Sequence, residues 1–449
     1  MSKLKIRIDA RPQFLPFVQC EKRWSVLAAH RRAGKTVAVC QKLLKCALTH
    51  TRPGPPLRYA YIAPTRDQAK DIAWGYLQDF TAKVPGAVPN QAELRISLAN
   101  TAHPRGASIR LYSGENYERM RGLYFDGVVS DEDADIPPAA FDYVILPCLL
   151  DYEGWHTRIG TPKGRNAFWR ALSEAKADPE NSYALILKAS ESGILSDSAL
   201  ASIRARLTPE AYAQEMECDF SVGRPGAIYA RLMEAALAEN RIIDFPWSRE
   251  HLVYTTWDLG APQNTKVVYW QFVGREIHCI DHDTDLDLTP AARVAHMRQK
   301  GYYFASHLFP HDAGARERSG DNFEEVMRKA GLQNIKVIPR CPDIWPGITK
   351  VQELFPRFVF HLTRTKYLRD ALESYHRKED KKTGFIKSEP EHDWSSHDAD
   401  AVRMLAEAMM DGLIKDGPQP AGGKVISPIE GFGDATPRRR RSQVISPFD

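Results

Sequence analysis

The sequence has few of the features that mark secreted, membrane-spanning or zinc-binding proteins. Its seven cysteines include no CxxC pair and no histidine at metal-binding spacing, which argues against a disulfide framework or a zinc site. No apolar run approaches the roughly 20 residues that span a bilayer, and the N-terminus lacks the apolar core of a signal peptide. The net charge is only +4, so the composition permits nucleic-acid binding without indicating it. We therefore expect a cytoplasmic protein with reduced thiols and no membrane contact.

The length and the hydrophobic pattern indicate two α/β domains. The 449 residues are many for a single core. From about residue 24 to residue 190, short apolar runs alternate with amphipathic helical stretches, which is typical of a parallel sheet. A second α/β pattern starts at LVYTTWDLG and includes two strands that turn at Gly274. The predicted divisions are a first domain at 1–220, a linker at 221–250, a second domain at 251–415 and a disordered basic tail at 416–449.

The stretch SVLAAHRRAGKTVAV (25–39) has the form of a phosphate-binding loop between a strand and a helix. Gly34, Lys35 and Thr36 stand in the order that such loops require, although Ala29 replaces the usual first glycine. Backbone N–H groups and the helix N-terminus would surround the phosphates, Lys35 would add a positive charge, and Thr36 would bind Mg²⁺. The alternative is that these three residues occur together by chance and do not form a phosphate-binding loop.

An apolar strand that ends in acids, FDGVVSDED, supplies the expected second half of such a site. Asp131 would hold the Mg²⁺-bound water, and Glu132 would polarise the attacking water. The alternative is an acidic cluster that caps a helix. Because the phosphate loop precedes this strand at a plausible separation, the two motifs together predict an ATPase.

Five further side chains are candidates for this site, each with a plainer alternative. Arg31 and Arg32 could stabilise charge at the γ-phosphate, or one of them could face solvent. Gln13 could read the adenine edge or lie in a surface loop. Thr161, in RIGTPKG, could sense the γ-phosphate or belong to an ordinary turn. Arg121 precedes the acid strand on a segment that could face a neighbouring subunit.

The second domain places several aspartates at the ends of predicted strands and helices. Asp258, Asp312 and either Asp398 or Asp400 could together hold two divalent cations that clamp a phosphodiester. Each of them alone is more often a cap or turn residue. A strand that ends in Asp and is followed by a hairpin is how RNase H-like nucleases begin, and Asp281 is a candidate fourth carboxylate.

In this order, the motifs HRRAGKT, VVSDE, GTP and the aspartates of the second domain resemble the large terminase subunit of tailed bacteriophages. The resemblance covers roughly residues 10 to 410. It implies an N-terminal P-loop (ASCE-type) parallel-sheet ATPase domain followed by an RNase H-like nuclease domain. The implied function is an ATP-driven motor that packages double-stranded viral DNA into procapsids and a nuclease that cuts the concatemer.

The resemblance also implies cofactors, partners and residue roles. The cofactors are ATP and Mg²⁺, with Mn²⁺ as an alternative at the nuclease site. The partners are double-stranded DNA, the portal protein and the small terminase subunit, with a ring of this chain on the procapsid in the host cytoplasm and a monomer in isolation. Thr161 would couple hydrolysis to movement, and Arg121 would enter the ATP site of a neighbouring subunit. The family's HDD pattern favours Asp398 as the third nuclease ligand, whereas DAxR favours Asp400.

Two other functions are compatible with parts of the pattern. A superfamily 2-like helicase or DNA-repair ATPase would use the second domain as another motor lobe, but no clear arginine-finger motif occurs near its end. A catalytically inactive DNA-binding assembly protein would keep the domains without their chemistry. ATPase activity and metal-dependent cleavage would exclude the latter.

Overall fold

The computed structural model describes residues 10–99, 101–260, 265–284, 286–314, 322–380 and 386–417. The predicted basic tail lies outside these residues from position 418 onward. Within the described ranges, no helix is both long enough and apolar enough to cross a bilayer.

Within residues 10–99 and 101–238, the structure has eight strands and eleven α-helices. The strands are β1 (Trp24–Ala29), β2 (Leu57–Ala63), β3 (Ala87–Asn90), β4 (Arg95–Leu98), β5 (Ala107–Ser113), β6 (Gly127–Asp131), β7 (Trp155–Gly160) and β8 (Ser182–Leu187). The helices are α1 (Leu15–Gln19), α2 (Lys35–Thr49), α3 (Arg66–Ala69), α4 (Gly75–Thr81), α5 (Pro138–Ala140), α6 (Leu146–Cys148), α7 (Ala167–Ala177), α8 (Ala189–Ser192), α9 (Asp197–Arg204), α10 (Pro209–Glu217) and α11 (Ala230–Ala238).

All eight strands join one sheet in the order β3-β4-β5-β2-β6-β7-β1-β8. In this sheet order, all neighbouring strands from β5 to β8 are parallel. At the other edge, β3 pairs antiparallel with β4, and β4 pairs antiparallel with β5. The phosphate-loop strand β1 and the acid strand β6 are separated by β7, which is the ASCE-type order, so the predicted fold class is confirmed. Because parallel strands end at the same edge of a sheet, the loop after β1 and the acids after β6 meet there.

The central strands β1, β2, β6 and β7 of the first sheet are largely buried on both faces, which explains their continuous apolar runs. Leu27, Tyr61, Val129 and Ile159 come from four different strands, and all are fully buried in one core cluster. Helix α2 contributes Leu43 to the same cluster. This packing fixes the position of α2, whose first turn carries the phosphate-loop lysine and threonine.

The described residues from 242 to 417 contain nine strands and five α-helices. The strands are β9 (Ile242–Ile243), β10 (Val253–Asp258), β11 (Lys266–Val273), β12 (Glu276–Asp283), β13 (Phe304–Phe309), β14 (Ile335–Val337), β15 (Phe358–His361), β16 (Arg377–Glu379) and β17 (Ile386–Pro390). The helices are α12 (Pro290–Gln299), α13 (Phe323–Lys329), α14 (Trp345–Leu354), α15 (Lys366–Ser374) and α16 (Ser396–Met410).

Seven of these strands form a second sheet in the order β14-β13-β10-β11-β12-β15-β9. Strands β10, β11 and β12 pair antiparallel, while β13 and β14 run parallel to β10 on its other side. This is the RNase H-like arrangement, as predicted. A second P-loop motor lobe, which a helicase would need, is a different fold.

The described residues separate into two compact units. One unit contains the residues up to Met233 together with Arg369–Ser396, and the other contains Glu234–Leu368 and the residues from His397 onward. The segment Arg369–Ser396 therefore packs with the first unit, although it lies within the predicted second domain. The predicted linker at 221–250 contains α11 and β9. The boundaries drawn from the sequence remain a prediction.

Candidate functional site

The phosphate loop has a defined conformation between β1 and α2. Gly34 has a φ of 99°, in the left-handed region that favours glycine. The Lys35 ammonium is buried and donates to the carbonyl oxygen of Ala29 at 2.7 Å, with that of His30 at 3.4 Å. The lysine charge is therefore held inside the loop, at the end of the sheet where the predicted phosphates would lie.

The two arginines of the loop have different environments. Arg31 pairs with Glu215, with 3.0 Å between Nε and Oε2, and its side chain is 74% exposed. Its backbone N–H also donates to the carbonyl of Glu215 at 3.0 Å. Arg32 is exposed and has a φ of 66°, which is uncommon for a residue with a side chain. Neither guanidinium is buried in the loop, so a role at the γ-phosphate stays a prediction.

A direct contact joins the phosphate loop to the acid strand. Thr36 Oγ1 donates to Asp131 Oδ2 at 3.2 Å, and the hydroxyl of Tyr61 on β2 donates to the same oxygen. Burial, and next the negative charge of Glu132, raise the pKa of Asp131 to about 6. The hydroxyl and carboxyl group that the sequence assigned to Mg²⁺ thus lie side by side.

Sequence reasoning did not identify Tyr61 as part of this site. It lies in the apolar run RYAYIA, where a tyrosine is most simply interpreted as a core residue. Only the pairing of β2 with β6 brings its hydroxyl to Asp131. No signal in the sequence alone would have found it.

Glu132 has a strained backbone and an unsatisfied carboxylate oxygen. Its φ is 49°, and its N–H donates to Asp131 Oδ1 at 2.8 Å. Its Oε2 atom is buried and has no hydrogen-bond partner among the described residues. Strained backbone and unsatisfied buried oxygens are concentrated at functional sites. A water molecule or an ion there would satisfy this oxygen, so the residues present fit the chemistry of nucleotide hydrolysis.

Gln13 is linked to the phosphate loop, and Thr161 lies at the end of strand β7. Gln13 Nε2 donates to the carbonyl of Ser192 at 2.6 Å, while its buried Oε1 has no partner in the described part of the chain. Ser192 Oγ in turn lies 2.9 Å from Nε2 of His30, in the phosphate loop. Thr161 follows β7 and is buried. Gln13 is therefore half-buried and linked to the loop, and it is not in a free surface loop.

Arg121 lies at the surface of the first unit. Its side chain is 57% exposed, and its Nε lies 2.6 Å from Glu118 Oε2. The structure thus gives it an internal partner in the isolated chain. Its role in a neighbouring subunit stays a prediction.

A second polar cluster lies behind the acid motif in the first unit. Asp135 accepts from the ammonium of Lys163, in the GTPKG loop, and from Arg224 Nη1 at 3.0 Å. Burial opposes its ionisation, but Lys163 and then Arg224 outweigh that effect and lower the pKa of Asp135 to about 2. These ion pairs tie the acid motif to the loop that contains Thr161.

In the second unit, Asp258 ends the central strand β10. Its Oδ2 lies 2.9 Å from Nδ1 of His397, and this contact raises the pKa of His397. Asp312 follows the neighbouring parallel strand β13 in an exposed 3₁₀ turn. Since both strands end at the same edge of the sheet, Asp258 and Asp312 lie on the same side of the second unit.

Helix α16 presents its two candidate aspartates to different partners. Asp398 is buried and its Oδ1 lies 2.6 Å from His282 Nε2. Burial raises the pKa of Asp400, and the nearby carboxylate of Asp258 adds to that rise although Arg403 opposes it. Asp398 thus pairs with a histidine and Asp400 with Arg403, and the choice of third ligand stays a prediction.

The four candidate acids do not form a complete metal site. Across the described residues, no three His, Cys, Asp or Glu side chains converge closely enough to hold a metal ion. Asp281, the candidate fourth carboxylate, has partners of its own in the second unit, and its role stays a prediction. Asp281 accepts from Lys300 and the Tyr302 hydroxyl, at 2.8 and 2.9 Å. His282 and Asp281 are consecutive on β12 and point to opposite faces, so Asp281 faces away from Asp398.

Comparison with known proteins identifies similar chains. No protein-family model matches the sequence. The terminase large subunits of Thermus phage G20c and Thermus virus P23-45 are each 30% identical over 123 residues, which is 24% of this chain and 25% of each relative. The predicted resemblance to terminase large subunits is confirmed. The match spans only about a quarter of the length of these curated relatives.

Solved structures of large terminases are also similar. The large terminase of bacteriophage HK97 is 14% identical, with a TM-score of 0.41 and coverage of 89% of this chain and 93% of that one. The ATPase domain of the Thermus phage P74-26 large terminase is 20% identical, with a TM-score of 0.40, and covers 47% of this chain and 93% of that one. The bacteriophage SPP1 large terminase nuclease domain, with bound Mn, is 19% identical, with a TM-score of 0.29, and covers 36% and 88%.

Proposed function

We propose that this chain is a terminase large subunit: an ATP-driven motor that packages double-stranded viral DNA and a metal-dependent endonuclease that cuts it. The observation that carries the proposal is the contact between Thr36 and Asp131. It joins a phosphate-loop hydroxyl to an acid-strand carboxylate across the intervening strand β7, beside a buried glutamate oxygen that has no partner in the described residues. An RNase H-like second domain supports the nuclease part.

In the ATPase site, each residue has a role that follows from its position. Lys35 would bind phosphate oxygens, and Thr36 and Asp131 would hold Mg²⁺, which supplies positive charge that stabilises the transferring phosphoryl group. Glu132 would accept a hydrogen bond from the attacking water through its buried Oε2. Gln13 would use its buried Oε1 as an acceptor for an adenine amino group.

The remaining ATPase residues have proposed roles in stabilising charge and transmitting the result. Arg31 would leave Glu215 to approach the γ-phosphate, and exposed Arg32 would stay near solvent. Thr161, buried at the end of β7, would respond to the γ-phosphate. Arg121 would exchange its internal partner for the ATP site of a neighbouring subunit.

In the nuclease site, divalent cations would draw together Asp258, Asp312 and Asp400, which do not converge in the described structure, with Asp398 as the alternative third ligand. Such cations supply charge that stabilises the attacking and leaving oxygens of a phosphodiester. His397 would keep the Asp258 carboxylate oriented through its 2.9 Å contact. The metal could be Mg²⁺ or Mn²⁺.

The proposal extends to partners and location. The DNA substrate is double-stranded, and its binding should weaken with salt because phosphate contacts release counterions. We propose that the chain assembles as a ring on the portal protein of a procapsid, receives DNA from a small terminase subunit and works in the host cytoplasm.

The test uses two substitutions in the first unit of the full chain. Lys35→Ala should abolish ATP hydrolysis because it removes the phosphate-binding charge, and Glu132→Gln should stop hydrolysis but spare ATP binding. Lys83→Ala and Glu180→Gln change exposed residues of the same unit and are the matched controls. Unchanged hydrolysis in Lys35→Ala would reject the motor proposal.

A further inference from the structure

The phosphate loop places a residue with a side chain where its backbone favours glycine. Arg32 has a φ of 66°, and Gly34 two residues later has a φ of 99°. The left-handed conformation is unfavourable for residues with a Cβ atom, so Arg32 needs external stabilisation to hold it. The contacts that could supply that stabilisation come from outside the loop.

Arg11 makes these contacts. Its Nη1 atom donates to the carbonyl oxygen of Arg32 at 2.7 Å and to that of Ala33 at 3.0 Å. Its aliphatic chain also follows the loop, since a Cβ atom built on Gly34 would lie 3.6 Å from Arg11 Cδ. One guanidinium thus binds two consecutive carbonyls, that of the left-handed residue Arg32 and that of the residue after it.

The backbone around Arg11 is itself anchored. The N–H of Ala10 donates to Oε1 of Gln41 on α2 at 2.9 Å. The carbonyl of Arg11 accepts from the N–H of Phe14 at 2.9 Å, and Phe14 is fully buried. Because the backbone is held at Ala10 and at the carbonyl of Arg11, the arginine side chain extends from a fixed backbone and loses less conformational freedom when it binds the loop.

The direction of the carbonyls determines the direction of the amides. A trans peptide unit is planar, and its C=O and N–H bonds point to opposite sides. When Arg11 binds the carbonyls of Arg32 and Ala33, the amides of Ala33 and Gly34 are turned away from it. The Ala33 amide closes the turn on the carbonyl of His30 at 3.2 Å. The Gly34 amide is then aimed away from Arg11, as phosphate binding requires.

We propose that Arg11 is a positioning residue that holds the phosphate loop in its nucleotide-binding conformation by stabilising the left-handed turn at Arg32. It compensates for a glycine that this loop does not contain at that position. The inference rests on the proposed ATPase function, because it assigns a role within the same phosphate loop.

The test is a double-mutant cycle on the full chain, read as the Kd for Mg²⁺-ATP by calorimetry. Arg11→Met should weaken ATP binding by about 5- to 30-fold, the range expected for a left-handed residue that is no longer supported. In an Arg32→Gly background, where the turn is unstrained, the same change should cost about threefold or less. Arg11→Lys should retain most of the affinity, because one ammonium can donate to both carbonyls.

Controls separate this role from others. Arg206→Met removes an exposed arginine of the same unit and should leave the Kd unchanged. If Arg11→Met costs the same in both backgrounds, Arg11 contacts the nucleotide or supports the fold, and the inference is overturned. No loss in Arg11→Met would overturn it as well. An unchanged melting temperature in Arg11→Lys and Arg32→Gly shows that these variants stay folded.

The failure of this inference is distinguishable from failure of the proposed function. If the wild-type chain does not bind ATP, or if Lys35→Ala binds it normally, the ATPase proposal fails. If Lys35→Ala loses binding but the cycle shows no coupling between Arg11 and Arg32, only the positioning role fails.

Discussion

Tyr61→Phe tests the carboxylate that anchors the ATPase site, by removing a single hydroxyl. In the wild-type chain, Asp131 Oδ2 accepts from both Tyr61 and Thr36. Both Tyr61 and Asp131 are buried, so water cannot readily replace the missing donor. A hydrogen bond to a charged group contributes about 1.5–3 kcal/mol. Because Thr36 still donates to the same oxygen, we expect the cost of removing the Tyr61 hydroxyl to lie at the lower end of this range. We expect about a tenfold loss of hydrolysis at limiting Mg²⁺.

The same substitution should change the pH dependence of hydrolysis. Burial and then Glu132 raise the pKa of Asp131 to about 6, and the Tyr61 hydrogen bond opposes that rise. Without the hydroxyl, the pKa of Asp131 rises further, so more of it is protonated at neutral pH and unable to bind a cation. The acid limb of the rate profile should therefore move to higher pH.

Tyr59→Phe is the matched control on the same strand. The Tyr59 hydroxyl is buried without a hydrogen-bond partner in the described residues, so its removal should leave hydrolysis unchanged and cost no stability. The assay is phosphate release measured against pH and Mg²⁺ concentration. If Tyr61→Phe and Tyr59→Phe have the same profile, the tyrosine does not hold Asp131 and the reasoning is refuted.

Three further predictions follow from other contacts. Asp400→Asn should prevent Mn²⁺-dependent linearisation of plasmid, whereas Asp398→Asn should chiefly lower the melting temperature; the reverse pattern would make Asp398 the ligand. Asp135 has a lowered pKa of about 2, so it stabilises the fold above its normal pKa of 3.8, and that stability is lost as pH falls toward 2. Asp135→Asn should thus cost about 2 kcal/mol in urea unfolding at pH 6 and much less near pH 2, and an equal cost at both would contradict this. Arg121→Ala mixed with Lys35→Ala on procapsids should recover part of the ATPase activity that neither has alone; no recovery at any ratio would place the arginine in its own subunit.

The sequence predicted most of the sheet-forming elements because their hydrophobic pattern is strong. Strands β1, β2, β6 and β7 are buried apolar runs, and the hairpin of β11 and β12 turns at Gly274 as expected. The local hydrophobic pattern determines these elements, so they can be predicted without knowledge of tertiary contacts.

The elements that the sequence did not predict are short or depend on distant partners. Strand β3 has four residues and includes Pro89, which is tolerated only because the strand lies at the edge of the sheet. The segment Arg369–Ser396 packs with the first unit through contacts such as that between Arg170 and Asp370. An ion pair between residues 200 positions apart leaves no periodic signal in the sequence.

The residues of the candidate sites also fall into two groups, those predictable from the sequence and those that depend on tertiary contacts. Residue types and their order predicted Lys35, Thr36, Asp131 and Glu132, since phosphate and Mg²⁺ chemistry restricts which side chains can serve. The residues that orient them were not predictable, because Tyr61 and Arg11 act through geometry that many side chains could share.

The irregular phosphate loop shows why the second group matters. Judged by its residues alone, a loop with Ala29 in place of glycine and an arginine at a left-handed position should be a poor phosphate site. The two carbonyls bound by Arg11 give the chain another way to fix the same backbone. The arginine that stabilises the loop lies outside the loop motif, so the motif alone does not reveal it. Substitutions at Arg11 and Arg32 should therefore depend on each other, a coupling that the separation of 21 residues would not suggest.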